Sequence, residues 1–283
     1  MGGVGLGLGA LYVAFGALLI TQTGFALGLI ITLGMAWGQW FFSDTLALKS
    51  MGAKEVSPEQ APELHAMIDR LCSLADMPKP KVAVSVTDMP NAFAAGRTPK
   101  HSAVCVTTGI MQRLDADELE GVLAHELAHI ANRDVSVMTV ASSLGLLAGF
   151  ITRWGMYFGG GRGRDNSGGG VPFLVVLAVS LVVYFVSFLL TRALSRYREL
   201  SADRSGAYLT GRPSTLSSAL VKISGEMARI PNKDLREASA ISAFFFAPAI
   251  NRESVGALMS THPPLQQRLD NLAKIGAELS EKG

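Results

Sequence analysis

Hydrophobic and polar positions divide the 283 residues into alternating blocks. From Met1 to Ser43 there is no Asp, Glu, Lys, Arg or His, and two apolar runs, Gly3 to Ile20 and Gly24 to Phe42, are parted only by Thr21, Gln22 and Thr23. A water-facing surface cannot be built from such a stretch, whereas each run has the length of a bilayer-crossing helix at about 1.5 Å per residue. Trp37, Trp40, Phe41 and Phe42 close the second run as an interfacial aromatic belt. The start carries no basic residue and no polar cleavage region follows the first run, which argues against a signal peptide. A third apolar stretch, Val135 to Thr152, is diluted by Ser136, Thr139, Ser142 and Ser143, and a fourth, Val171 to Leu190, is 20 residues long without a charge. Between them "GGGRGRDNSGGG" (Gly159 to Gly170) reads as a flexible loop, and no strand precedes it as a phosphate-binding loop requires.

The polar blocks carry other periods. In "SPEQAPELHAMIDRLCSLADM", Ser57 is the expected N-cap and Pro58 the first helical residue. Leu64, Met67, Ile68, Leu71 and Leu74 follow helical spacing, with His65 on the outer side. Lys81 to Val86 and Ser102 to Gly109 alternate and are rich in Val and Thr, predicting strands. "DMPNAFAAGRTPKH" between them has turn residues around a short apolar centre. Asp115 with Glu118 forms a capping-box pattern, and Leu119, Leu123, Leu127 and Ile130 make the apolar stripe of the helix that follows. Ser195 to Leu209 reads as another helix, and Gly211 to Gly283 as interrupted helices. "AFFFAPAI" in that last part reads as core, and "LQQRLDNLAKIGAEL" as an amphipathic closing helix.

Charge sets the expected topology. Lys49 and Lys54 follow the second apolar run, and Arg192, Arg196, Arg198 and Arg204 follow the fourth, placing both ends on the cytoplasmic side. Arg153, Arg162 and Arg164 in the loop count the other way. The fold class expected is a mainly α membrane protein with four transmembrane helices and a cytoplasmic part containing a small β-sheet. Its units are a transmembrane hairpin 1–43, a cytoplasmic part 44–134, a second hairpin 135–190 and a cytoplasmic part 191–283. A net charge of +2 is too small to bring nucleic acid in as a partner. Cys72 and Cys105 form no ligand pattern and are expected as free thiols in a reducing compartment.

One stretch carries chemistry: "GVLAHELAHIANRD". His125 and His129, four apart on a helix, face the same way and can hold one metal ion. Glu126 is rotated by about 100° and is free to act as a base. Ala124 and Ala128 leave room for a second helix. Ile130, Ala131, Asn132 and Arg133 offer no third ligand, and Asp134 falls at a poor helix phase. Glu199, with Asp203 one turn on, fits better: Glu199 as ligand and Asp203 as the acceptor that fixes a ligand histidine. The alternative is a solvated helix with Glu199 paired to Arg196.

"HELAHIANRD" followed about 70 residues on by "RELSADRSGA", with "PNAFAAG" and "THPP" as further landmarks, resembles the HtpX family of membrane-embedded zinc metalloproteases, related to the CAAX prenyl proteases. The resemblance covers nearly the whole chain. It implies a gluzincin-like protease domain holding one Zn²⁺ on His125, His129 and Glu199, with Glu126 as base and Asp203 behind a ligand. Asn91, Ala92 and Phe93 would lie at an edge strand that takes an extended substrate, against a plain hairpin turn as the alternative. His262 would donate to the oxyanion, against a role at a helix start before two prolines. The resemblance further implies a bacterial inner-membrane enzyme, active in envelope-stress quality control, with the bilayer around it and unfolded or damaged membrane proteins as substrates. Two competitors remain: a prenyl-protein endoprotease, against which four spans in place of a large helical cage count, and an idle membrane scaffold, which has no reason to keep Glu126.

Overall fold

A computed structural model describes residues 25–141, 173–229 and 262–281. The first apolar run, most of the third, the glycine-rich loop, "AFFFAPAI" and Thr261 lie outside the described residues.

The Val- and Ala-rich segments form one sheet of four strands: β1 (Lys54–Glu55), β2 (Lys81–Ser85), β3 (Ala92–Thr98) and β4 (His101–Thr107), in the order β1-β2-β4-β3. β2 and β4 are parallel, and the outer pairs are antiparallel. The segment around "NAFAAG" is therefore an edge strand, joined to β4 by a tight turn. Its alternation serves two layers. Phe93 and Ala95 pack with Ala47, Ala83 and Cys105, while Ala92 and Ala94 face the main core. Gly96 has φ +138°, and a Cβ there would lie 2.3 Å from the His101 carbonyl oxygen, so only glycine fits.

Helices surround the sheet: α1 (Phe25–Phe41), α2 (Ser43–Ser50), α3 (Pro62–Leu74), α4 (Thr108–Arg113), α5 (Ala116–Ala131), α6 (Phe173–Thr210), α7 (Pro213–Arg229) and α8 (Leu265–Ser280). The fold is thus mainly helical with a small mixed sheet. α3 starts later than its pattern predicts. Pro62 has no N–H and its ring clashes with the carbonyl four residues back, so a helix begun at Pro58 cannot run through it. Ser57 to Ala61 instead form a turn closed by the Gln60 side chain on the Ser57 N–H at 2.9 Å, and Pro62 takes the first helical position. His65 is buried, not outer. It shares a face with Ile68 and Cys72, and its Nε2 lies 3.0 Å from the Val56 carbonyl. Cys72 and Cys105 are free and buried, and burial pushes their thiols up to about 11 and about 12.

The capping box of α5 is present, with both bonds made, at 2.9 and 3.1 Å. Glu118 also accepts from Ser218 Oγ and Lys222 Nζ, each at 2.6 Å, which ties α5 to α7. Burial alone raises the Glu118 pKa, but Lys222, Ser218 and the Asp115 N–H outweigh it and hold the carboxyl below its ordinary 4.5. A group depressed in the folded state stabilises above its unfolded pKa and loses that contribution as pH falls through the folded value. Glu118→Gln keeps the capping reach but removes the charge. The expected result is a lower thermal midpoint at pH 7 and a shallower decline of that midpoint below pH 4.5 than in the wild type. Parallel declines in the two proteins would refute this assignment.

α6 is one helix of 38 residues that carries the fourth apolar stretch, from Phe173 onward, directly into "SRYRELSADRSGAYL". Side chains from Leu181 to Leu190 are described, and Leu181, Val182, Val183, Tyr184, Phe185 and Val186 are all exposed although consecutive residues point to every side of a helix. Among the residues whose side chains are described, no helix is long and apolar enough to cross a membrane; the apolar stretch of α6 falls only partly among them. The end of α1 is fixed beside the sheet edge. Arg97 donates to the Phe41 carbonyl at 2.7 Å and stacks 3.9 Å over its ring, and Trp40 Nε1 donates to Ser136 Oγ at 3.2 Å.

Candidate metal centre

The site forms where α5 meets α6. Gly206 makes the crossing close, since a Cβ there would stand 2.9 Å from the His125 nitrogen. Ala124, fully buried, faces the same contact. One turn of α5 presents His125 and His129 side by side, with their Nε2 atoms 3.1 Å apart. Glu199, two turns before Gly206 on α6, points between them: Oε1 is 3.5 Å from His129 Nε2 and Oε2 is 3.8 Å from His125 Nε2. Among the described residues these three form the group whose ligand atoms all lie within 4.8 Å of one another. A tetrahedral ion with bonds near 2.0–2.1 Å needs ligand atoms roughly 3.3 Å apart. The spacing and the donor set of two imidazoles and a carboxylate both fit such an ion.

The far side of each imidazole is held. Asp203, with no exposed surface, lies 2.9 Å from His125 Nδ1. Arg268 on α8 clamps that carboxylate with two bonds, Nε to Oδ2 at 2.9 Å and Nη2 to Oδ1 at 2.6 Å. Burial pushes His125 down to about 4, against the pull of Asp203, so the ring is neutral and its Nε2 lone pair faces the site. Burial works the other way on Asp203, but Arg268 and His125 outweigh it and hold the acid at about 2. His129 donates from Nδ1 to Asp134 at 2.5 Å. Glu199 is held well below its ordinary value: its burial opposes ionisation, and His262, His129 and His125 overcome it.

Glu126 points into the same cleft without joining the ligand group. Burial, with Glu199 adding, pushes its pKa up to about 7, while His129 and the N–H of Ala94 on β3 restrain it. That value suits a group that takes and returns a proton near neutrality. The cleft runs along the outer edge of β3, with Ala92 to Gly96 on one side and His125, Glu126 and His129 on the other. His262 also lines it, with Nδ1 3.0 Å from Glu199 Oε2.

The sequence pattern places His125, Glu126, His129, Glu199, Asp203, His262, Ala92 and Phe93 at this cleft or directly behind it, and they are found there. Asn91 differs. It is 1% exposed and lies outside the cleft lining, and Thr107 occupies both its main-chain groups, so its backbone is not free to pair with a substrate. Three residues escaped the sequence reading: Asp134, Arg198 and Arg268. Only Arg268 left a signal, as an arginine in the stripe Leu265, Arg268, Leu272, Ile275 and Leu279 where every other member is apolar. Asp134 does not join the ligand group, as its phase predicts, but the chain leaves the helix after Ala131 and brings it behind the His129 ring instead.

A buried carboxyl beside two histidines and a second carboxylate, along an edge strand, is an arrangement that suits a metallopeptidase. The sequence model of peptidase family M48 matches residues 58–276. The chain is 53% identical to the protease HtpX homolog of Moorella thermoacetica, covering 97% of this chain and 93% of that protein. It is 52% identical to the protease HtpX homolog 1 of Streptomyces coelicolor, over 97% and 91% of the two, and 39% identical to the HtpX homolog of Pyrococcus furiosus, over 96% and 93%. The fold resembles the crystal structure of S. mikatae Ste24p with a TM-score of 0.62 at 18% identity, over 95% of this chain but only 64% of that one. The chain belongs to peptidase family M48, among the HtpX proteases, and is a metalloprotease.

Proposed function

We propose that the protein is a membrane-anchored zinc endopeptidase that cleaves unfolded or damaged membrane proteins. The observation that carries this reading is the convergence of His125, His129 and Glu199 beside a buried, proton-poised Glu126. These three side chains would hold the ion. Bound zinc supplies Lewis acidity, acidifying water and polarising a carbonyl.

The chain's own groups do the rest. β3, the outer strand of the sheet along the cleft, pairs with an extended substrate and lays its scissile bond across the cleft. Glu126 takes a proton from the attacking water and returns it to the leaving amine, so the peptide bond breaks with no net proton change. His262 donates a hydrogen bond to the oxygen that gains charge as the carbonyl becomes tetrahedral. Asp203 and Arg268 keep the His125 ring aimed, and burial keeps it neutral.

Membrane anchoring is supported by the all-round apolar exposure of α6 at Leu181 to Val186 and by the uncharged start of the chain. Glu199 stands nine residues beyond Leu190, about 14 Å along the same helix, which sets the site just outside the hydrocarbon. The arginines after Leu190 orient that surface toward the cytoplasm of a bacterial inner membrane, where the enzyme serves envelope quality control. Single cysteines introduced at Glu55 and Lys274 are expected to resist an impermeant thiol reagent in intact cells and to react after lysis. Ready labelling of intact cells at either position would reverse the orientation.

A further inference from the structure

We propose that Asp134 and Arg198 act as one positioning unit that sets the hold of His129 on the metal, linking that ligand to α6. On an unbroken helix Asp134 would stand about 140° round from His129, too far to reach it. The chain instead turns at Asn132 and Arg133, the latter at φ +55°, and is helical again over 134–141. That turn brings Asp134, 3% exposed, back under the imidazole, 2.5 Å from Nδ1. Asp134 is also the first residue of the helical run that leads into the third apolar stretch.

The other end of the link is Arg198 on α6. Its Nε lies 3.0 Å from the same Oδ2 that His129 uses, not aligned for a hydrogen bond, so the contact is one of charge. Arg198 is eight residues past Leu190, the end of the fourth apolar stretch. The His129 ring is therefore held by a carboxylate at the foot of one apolar stretch and a guanidinium at the foot of the other. His125 is held by a different pair, Asp203 further along α6 and Arg268 on α8. Neither Asp134 nor Arg198 belongs to the ligand group. Arg198 can influence His129 through Asp134, by holding the carboxylate in place.

The inference rests on the metal-centre reading and is tested on the full-length protein in detergent, with zinc affinity measured by competition against a chelator. Asp134→Asn is expected to weaken zinc binding about 10- to 100-fold, and Arg198→Gln about tenfold, the range for groups that orient a ligand. In the Asp134→Asn background, Arg198→Gln is expected to add nothing. With Asp134 intact, Arg198→Lys, which keeps the charge, is expected to retain most of the affinity that Arg198→Gln loses. Thermal midpoints of the metal-free variants are measured alongside, because a merely structural role would lower them without this pattern. Equal losses from Arg198→Gln in both backgrounds, or wild-type affinity in Arg198→Gln, would overturn the proposal. Should Asp134→Asn not fold, the contrast between Arg198→Gln and Arg198→Lys decides alone: equal affinities refute it. Absence of zinc binding by the wild type would instead refute the metal-centre reading.

Discussion

Glu126→Gln is expected to lower kcat/KM for an unfolded protein such as casein by about a thousandfold or more, while the zinc content stays that of the wild type. The two halves of this expectation have separate causes. Glu126 shares the cleft with the ligand histidines but is not among the atoms that converge on the ion site, so the amide removes no donor. It does remove a cleft carboxyl whose pKa burial pushes up to about 7, and an amide cannot take a proton from water. Gln also fills the same space and leaves the Ala94 N–H an acceptor, so no cavity or orphaned donor confuses the result. Casein cleavage by purified mutant at more than a tenth of the wild-type rate would end the proposed role of Glu126. Loss of zinc in the mutant would mean that the carboxylate serves the metal after all.

Glu199→Ala is expected to empty the metal site and abolish cleavage together. Two histidines alone leave a zinc ion short of the three protein ligands that catalytic sites use. Asp203→Ala gives a graded contrast. It leaves all three ligands but frees the His125 ring, and zinc affinity should fall about 10- to 100-fold. It also strands Arg268, 1% exposed, without its two-bond partner, and breaking a buried pair in this way costs about 3–5 kcal/mol of stability. The two mutants thus separate by temperature as well as by metal: Asp203→Ala should lower the thermal midpoint of metal-free protein, and Glu199→Ala should change it far less. Equal zinc loss in both, or retained zinc in Glu199→Ala, would place the third ligand elsewhere.

Much of this centre could be read along the chain because its parts follow simple periods. His125 and His129 lie one helical turn apart, as do Glu199 and Asp203, and Asp115 and Glu118 announce where α5 begins. Two of the four strands, β2 and β4, are visible in the alternation of Lys81 to Val86 and Ser102 to Gly109, although the second run ends inside α4. What stayed hidden depends on breaks in a period or on partners distant in sequence. Asp134 reaches His129 only because Arg133 takes a left-handed conformation. Arg268 meets Asp203 across 65 residues of sequence. The start of α3 was misjudged because the N-cap pattern at Ser57 outweighed the second proline, Pro62. His65 looked outer because the apolar stripe of α3 was drawn without Cys72. Of the four expected spans, the second forms α1 and the fourth opens α6 as a helix, while the first and most of the third lie outside the described residues.

The central claim is that one zinc ion sits on His125, His129 and Glu199. X-ray absorption at the zinc edge of the purified full-length protein tests it most directly. The account predicts a first shell of nitrogen and oxygen only, at about 2.0–2.2 Å, with the outer-shell pattern of two imidazoles. It predicts no sulfur, because Cys72 and Cys105 are buried with thiols that resist ionisation and neither lies in the cleft. A shell at about 2.3 Å, the distance of a zinc–thiolate bond, or a spectrum with fewer than two imidazoles, would contradict it.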